Sequence, residues 1–177
     1  MSLVSELERL ADALADTADG APSPLVWSSV AGRIAKNLGV KADEVGILGL
    51  STKWRHLYFL APEALKNVGF IPLTSNSALA ARTARDRRPE IDNNFASVRH
   101  ASVFEGVKTV AGEPGEAIQK IMSAPILAGG KVIGVIQISR KGANALVAGP
   151  DFTPGDLGKL MALGKPLGKL LQHVTRE

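Results

Sequence analysis

The chain contains no cysteine. That absence removes disulfides, zinc–thiolate centres, thiol nucleophiles and thioether-linked cofactors from consideration. Aromatic residues are scarce, at 5% of 177 residues. Stacking platforms for single-stranded nucleic acid set aromatics among basic residues, and neither Trp27 nor Trp54 falls within the arginine run at 82–88. No apolar run approaches the roughly 20 residues needed to span a bilayer. The opening stretch, MSLVSELERLADALADTADG, is acidic and amphipathic, whereas a secretory signal has a basic start and an apolar centre. A soluble, cytoplasmic protein with no membrane partner is therefore expected. Gly-x-Ser-x-Gly elbows, Gly-x-Gly-x-x-Gly turns and Walker loops are missing, so no catalytic residue is expected. His56, His100 and His173 form no pair at helical spacing, and no metal site or cofactor is expected.

What remains is an ordinary globular composition, 45% apolar and 21% charged, in a length that suits one domain. Charge is uneven. Residues 1–20 hold Glu6, Glu8, Asp12, Asp16 and Asp19 against Arg9, a balance of −4, so the chain total of +4 leaves +8 for residues 21–177. An acidic first helix beside a basic body suits internal or inter-subunit pairing.

Periodicity supplies the elements. Leu3, Leu7, Leu10 and Leu14 form a narrow seam on a helix within residues 1–20, with Ser5 and Glu8 at capping-box spacing and Gly20 as its end. Ser23 and Pro24 open a second helix, which Gly39 closes. EVGILGL and RHLYFLA are predicted strands joined by a hairpin over 51–54, and a brief strand is predicted at Phe70-Ile71. SALAARTARDRR reads as a helix that Pro89 stops, followed by a short strand at Glu90 to Asp92. Some helix is expected around 96–104. Two long strands surround Gly129-Gly130, and ALVAGPDF is predicted to be a loop. Thr153, Pro154 and Asp156 start a last helix over 153–174, with a kink expected at Pro166. Hairpins with helices before, between and after them make the class α+β.

Three stretches carry a resemblance. SAPILAGGKVIGVIQISRKG (Ser123 to Gly142), PDFTPGDLGKLMALGKPLGKLL (Pro150 to Leu171) and LTSNSALAARTARDRRPEIDNNFASVRH (Leu73 to His100) resemble, in order and spacing, the motifs of a GAF domain. The resemblance covers about residues 23–172 of a single domain spanning 1–177. It implies a central antiparallel sheet of five or six strands with the terminal helices on one face. On the other face it implies a pocket roofed by the middle helix and connecting loops.

The resemblance further implies a non-enzymatic, stand-alone sensory or regulatory domain that binds an unidentified small molecule. A homodimer through the terminal helices and a separate signalling output protein go with it. Gly158, Gly164 and Gly168 would permit close helix approach in that dimer. Bilin-carrying and methionine-sulfoxide-reducing relatives use cysteines, which this chain lacks. The Asn-Lys-Phe-Asp-Glu set of cyclic-nucleotide-binding relatives is absent from SRKGANALVAGPDF. The alternative is a ligand-free structural or protein-interaction version of the same fold.

Carried onto this sequence, the resemblance places Ser77, Leu79 and Ala80 at the start of the middle helix, on the pocket floor. Asn93, Asn94, Phe95, Arg99, His100 and Phe104 enter its roof. There Asn, Arg and His would fix an anionic or amide-bearing ligand between apolar walls. A polar loop in which Asp92 and Asn93 cap the next turn is the competing reading. His100 would be the axial candidate in a haem-bound version, His173 suits a helix C-terminus, and His56 suits a solvent-facing strand position. Arg82, Arg85, Arg87 and Arg88 face Asp86, Glu90 and Asp92, a local balance of only +1, so they are expected to solvate a helix end. No nucleic-acid partner is expected.

Overall fold

The computed structural model describes residues 2–15, 24–65, 69–97 and 117–172. A six-stranded antiparallel sheet in the order β3-β2-β1-β6-β5-β4 forms its centre. The strands are β1 (Val45–Ser51), β2 (His56–Ala61), β3 (Phe70–Pro72), β4 (Glu90–Asp92), β5 (Ile118–Ala128) and β6 (Lys131–Lys141). The helices are α1 (Leu3–Ala15), α2 (Pro24–Leu38), α3 (Leu79–Asp86), α4 (Ala145–Ala148), α5 (Pro154–Ala162) and α6 (Gly164–Gln172).

Strand alternation sorts the side chains onto two faces. Val45, Ile47, Met122, Ala124, Ile126, Ile136 and Ile138 point to one face, where they meet Leu7, Trp27, Val30, Ile34, Leu167 and Leu170 of α1, α2 and α6. Leu48, Leu57, Phe59, Ile121 and Val135 point to the other face, under α3. Every residue of β1 is buried, as a strand covered on both sides must be.

Local signals explain the ends of the elements. Gly129 and Gly130 both take positive φ, 57° and 79°, as a two-residue type I′ hairpin requires. Gly39, at φ 71°, ends α2 and lets the Val40 N–H reach the Ala35 carbonyl at 3.0 Å. Thr153 and Asp156 form a reciprocal capping box at 3.1 and 2.9 Å.

Five expectations change. Ser2, not Ser5, caps α1, accepting from the Ser5 N–H at 3.2 Å, because the helix begins one turn earlier than the Ser5–Glu8 spacing suggested. α3 ends at Asp86, where Arg87 turns left-handed at φ 56°, two residues short of Pro89. The predicted loop over ALVAGPDF contains the one-turn α4, capped by the Asn144 side chain. The kink at Pro166 is a full break: the proline has no N–H for the Ala162 carbonyl, and the Leu163 N–H tightens onto Leu160 at 3.0 Å. The helix expected over 96–104 is a short 3₁₀ turn at Phe95–Ser97, and residues 98–104 lie outside the described residues.

Leu7 and Ala11 of α1 are buried in the chain's own core, between α2 and α6. Glu8 pairs with Lys169 of α6 at 3.6 Å, and Glu6 with Arg33 of α2 at 3.4 Å. The acidic helix thus finds its basic partners within the same chain. Gly168 is spent on the sheet: a Cβ there would run into the Leu127 carbonyl oxygen, whereas Gly158 and Gly164 face open space.

A side-chain latch ties β4 to the opposite layer. The Asn93 amide donates to the Phe152 carbonyl at 3.0 Å and accepts from its N–H at 2.8 Å. Phe152 is buried in the helix-side core, under the Arg140 guanidinium at 4.8 Å.

Two glycine substitutions should act with opposite signs. Gly158→Ala should stabilise by about 0.5–1 kcal/mol through helix propensity. Gly168→Ala should destabilise by about 1–3 kcal/mol, because overpacking against the β5 backbone outweighs the same gain. Urea unfolding of both variants reads the signs, and equal stabilisation by the two would refute the close packing of α6 on β5. Asn93→Ala should cost about 1–3 kcal/mol in the same assay, since it strands both backbone groups of Phe152.

Candidate functional site

The sheet face beneath α3 has two unlike halves. Leu48, Leu57, Phe59 and Val135 fill one half with fully buried apolar side chains. The other half is small and polar. Gly46, Gln137 and Ser123 lie side by side across β1, β6 and β5, and Ser139 is the next residue of β6 on this face. Ser123 and Ser139 are completely buried, and Gln137 nearly so.

A directional hydrogen-bond chain runs through this half. Thr83 Oγ1, on α3, donates to the Leu79 carbonyl at 2.9 Å, which uses its only proton. Its 2.7 Å contact with Ser123 Oγ must therefore be donated by Ser123. Ser123 then accepts from Gln137 Nε2 at 3.2 Å. The order is Gln137 N–H to Ser123 O–H to Thr83 O–H to a backbone carbonyl. It orients the Gln137 carboxamide and leaves Oε1 with no partner among the described residues.

Below the row, Glu44 braces the base of β1 and β6. Its buried carboxylate accepts from the Lys41 N–H at 2.8 Å and the Lys141 N–H at 2.6 Å, and its carbonyl accepts from Ser139 Oγ at 3.3 Å. Lys120 is buried on the opposite face, bonded to Asp151 Oδ1 at 2.8 Å and the Gly149 carbonyl at 2.6 Å, so it holds the segment that leads into α5.

The structure distributes the sequence-derived site residues widely. Leu79 and Ala80 are buried at the start of α3, in the core beneath it, and Phe95 is buried in the same core. Ser77 is exposed in the turn before α3. Asn93 is turned to Phe152, away from that face. The Asn94 N–H bonds the Asp92 carboxylate at 2.9 Å in an Asx turn. Arg99, His100 and Phe104 lie outside the described residues, as does His173. His56 stacks on Phe70 with ring centroids 4.1 Å apart. Among the described residues no three His, Cys, Asp or Glu side chains converge as metal ligands.

The arginine run is engaged within the chain. Arg82 pairs with Glu90 at 2.5 Å rather than with Asp86. Arg85 donates to the Leu73 and Ser75 carbonyls, and Arg87 to the Gly130 carbonyl.

Thr83, Ser123, Gln137 and Ser139 were missed by the sequence reading. A signal for two of them existed: within VIGVIQIS, Gln137 and Ser139 fall at alternate positions of a run whose other residues are apolar or glycine. Polar residues in a strand covered on both faces must find partners there.

No protein-family model matches the chain, and no curated protein sequence does. Solved structures do. The GAF domain of an Acinetobacter phosphoenolpyruvate-protein phosphotransferase aligns at 17% identity and TM-score 0.63, covering 98% of this chain and 96% of that one. The GAF domain of the corresponding Coxiella burnetii protein aligns at 12% and 0.66, covering 97% and 94%. The free methionine-R-sulfoxide reductase of Neisseria meningitidis, solved in complex with its substrate, aligns at 17% and 0.59, covering 97% and 87%. Identities this low speak for shape and not for activity. With its helices before, between and after a 3-2-1-6-5-4 antiparallel sheet, the chain has the α+β fold of a GAF domain.

Proposed function

We propose that this is a non-enzymatic regulatory domain that binds a small molecule beneath α3 and acts as a homodimer through its terminal helices. One observation carries the binding reading: the buried polar row of Thr83, Ser123 and Gln137 beside an apolar half of the same face, with no partner for Gln137 Oε1 among the described residues. The Gln137 carboxamide is oriented by Ser123, so a ligand that supplies a donor would meet a preset acceptor at Oε1. The absence of cysteine from the sequence supports a non-enzymatic role, because the thiol chemistry expected of reductases on this fold has no residue to perform it.

The dimer reading rests on the apolar side chains that the helical layer leaves partly open. Leu3, Val4 and Leu10 of α1 and Leu157 of α5 are only partly buried, and Met161 of α5 is exposed. Apolar side chains left open on a helical layer suit a two-fold contact. The acidic residues of α1 are not needed for it, since Glu6 and Glu8 already have partners.

A ligand-free structural version of the fold is the second reading. The completely filled half of the same face, Leu48, Leu57, Phe59 and Val135, favours it.

Native mass spectrometry of freshly purified protein, with thermal-shift screening, separates the two. The binding reading expects a co-purified adduct on the 18.6 kDa chain, or a hit whose stabilisation grows with concentration. At 100 times Kd that stabilisation should be about 2.7 kcal/mol. A bare chain that responds to no nucleotide, tetrapyrrole or metabolite supports the structural version. Light scattering at tens of micromolar should show a dimer that the double substitution Leu10→Asp, Met161→Asp dissociates without unfolding. Leu7→Asp should unfold the protein, because Leu7 lies in the chain's own core.

A further inference from the structure

The open end of the hydroxyl chain has a chemical polarity, and that polarity restricts what can bind. This inference rests on the binding reading above and deepens it. Because Thr83 spends its proton on the Leu79 carbonyl, Ser123 must donate to Thr83 and accept from Gln137. Reversing the Gln137 amide would set its carbonyl against a hydroxyl oxygen that has no proton left to give. The wiring therefore holds Nε2 toward Ser123. Oε1 and the second Nε2 hydrogen remain for another group.

The neighbours of that group are small. Gly46, the β1 neighbour of Gln137, has no side chain, and Ser123 and Ser139 are the smallest polar residues available. Larger side chains stand on the same face one step away, at Leu48 and Val135. No charged side chain takes part in the chain of bonds: the nearby Glu44 carboxylate is already held by two backbone N–H groups. An anion brought to Oε1 would meet an acceptor, and a cation would be desolvated without a counter-charge.

We propose that Gln137 is the specificity-determining residue of the site, and that it takes a neutral ligand presenting an N–H donor beside a C=O or ring-nitrogen acceptor. Carboxamides, lactams and nucleobase edges have this chemistry. The complementary pairing is the one by which a glutamine side chain recognises a nucleobase edge. Ser123 and Thr83 act as positioning residues that hold the carboxamide in its reading orientation.

The test uses the full chain, labelled with ¹⁵N, and the side-chain amide resonances of Gln137. Uracil, nicotinamide and 2-pyrrolidinone present the edge, and 1,3-dimethyluracil and N,N-dimethylnicotinamide have it blocked. Benzoate and inorganic phosphate serve as anionic probes. The expected result is saturable movement of the Gln137 side-chain signals with at least one edge-bearing probe, and affinity about 10- to 100-fold lower for its blocked partner. Gln137→Glu should abolish that discrimination. Ser123→Ala, a smaller change, should keep the fold and weaken the edge-bearing probe by lesser degree while leaving the blocked probe unmoved.

Binding of benzoate, phosphate or the blocked probes beneath α3 with equal strength would overturn the assignment of Gln137 while leaving the small-molecule reading intact. No movement of the Gln137 signals with any probe would overturn the assignment as well. If thermal-shift screening is also silent, the small-molecule reading falls with it.

Discussion

The whole arrangement depends on the register of the β5–β6 ladder, and one extra residue sets that register. Starting from the Gly129-Gly130 turn, Ala128 pairs with Lys131 and Leu127 with Val132, but Ile126 then pairs with Gly134. Ile133 is the unpaired residue of a bulge. Beyond it Ser123 faces Gln137; counted from the turn without the bulge, Ser123 would face Ile136, whose side chain belongs to the opposite core. A one-residue slip moves a whole strand's side chains to the other face. The bulge thus keeps both cores consistent, and it also creates the polar row beneath α3. At the same place Gly134 lies so close to the Leu48 carbonyl oxygen and the Leu171 side chain that a Cβ would collide with both.

This dependence explains how much was legible in the sequence. Elements came through because their signals are local: Pro24 and Gly39 bracket α2, Gly129-Gly130 marks the hairpin, and Thr153-Pro154 with Asp156 starts α5. The GAF-like order of elements followed from them. Two helix ends were misjudged because competing local signals exist there, with Ser2 and Ser5 both able to cap α1, and Arg87 adopting a left-handed turn more often made by glycine.

The polar row was harder to see, because it is a property of pairing and not of any single stretch. Thr83, Ser123 and Gln137 are 40 and 14 residues apart in sequence, and only the bulged register brings them into line. Ser77 and Asn93 were expected at the site because the resemblance places them at the floor and the roof of a pocket. In the fold, Ser77 is exposed in a turn and Asn93 is committed to Phe152.

That commitment matters for how the two faces of the sheet relate. Asn93 follows β4, two residues before Phe95, which is buried in the core beneath α3. Its amide grips Phe152, which is buried in the core beneath the helices and directly precedes the Thr153 cap of α5. The latch is a pair of hydrogen bonds between the Asn93 side-chain amide and both backbone groups of Phe152, so the linkage is more directional than an apolar contact of similar size, which can slide. Any shift of the 93–97 turn must either carry the start of α5 with it or break two hydrogen bonds in a half-buried place. Arg140, packed over the Phe152 ring and bonded to the Gly39 carbonyl at 3.2 Å, extends the connection to the end of α2. The segment beside the sheet face beneath α3 and the layer of terminal helices are therefore joined by direct bonds as well as through the sheet between them.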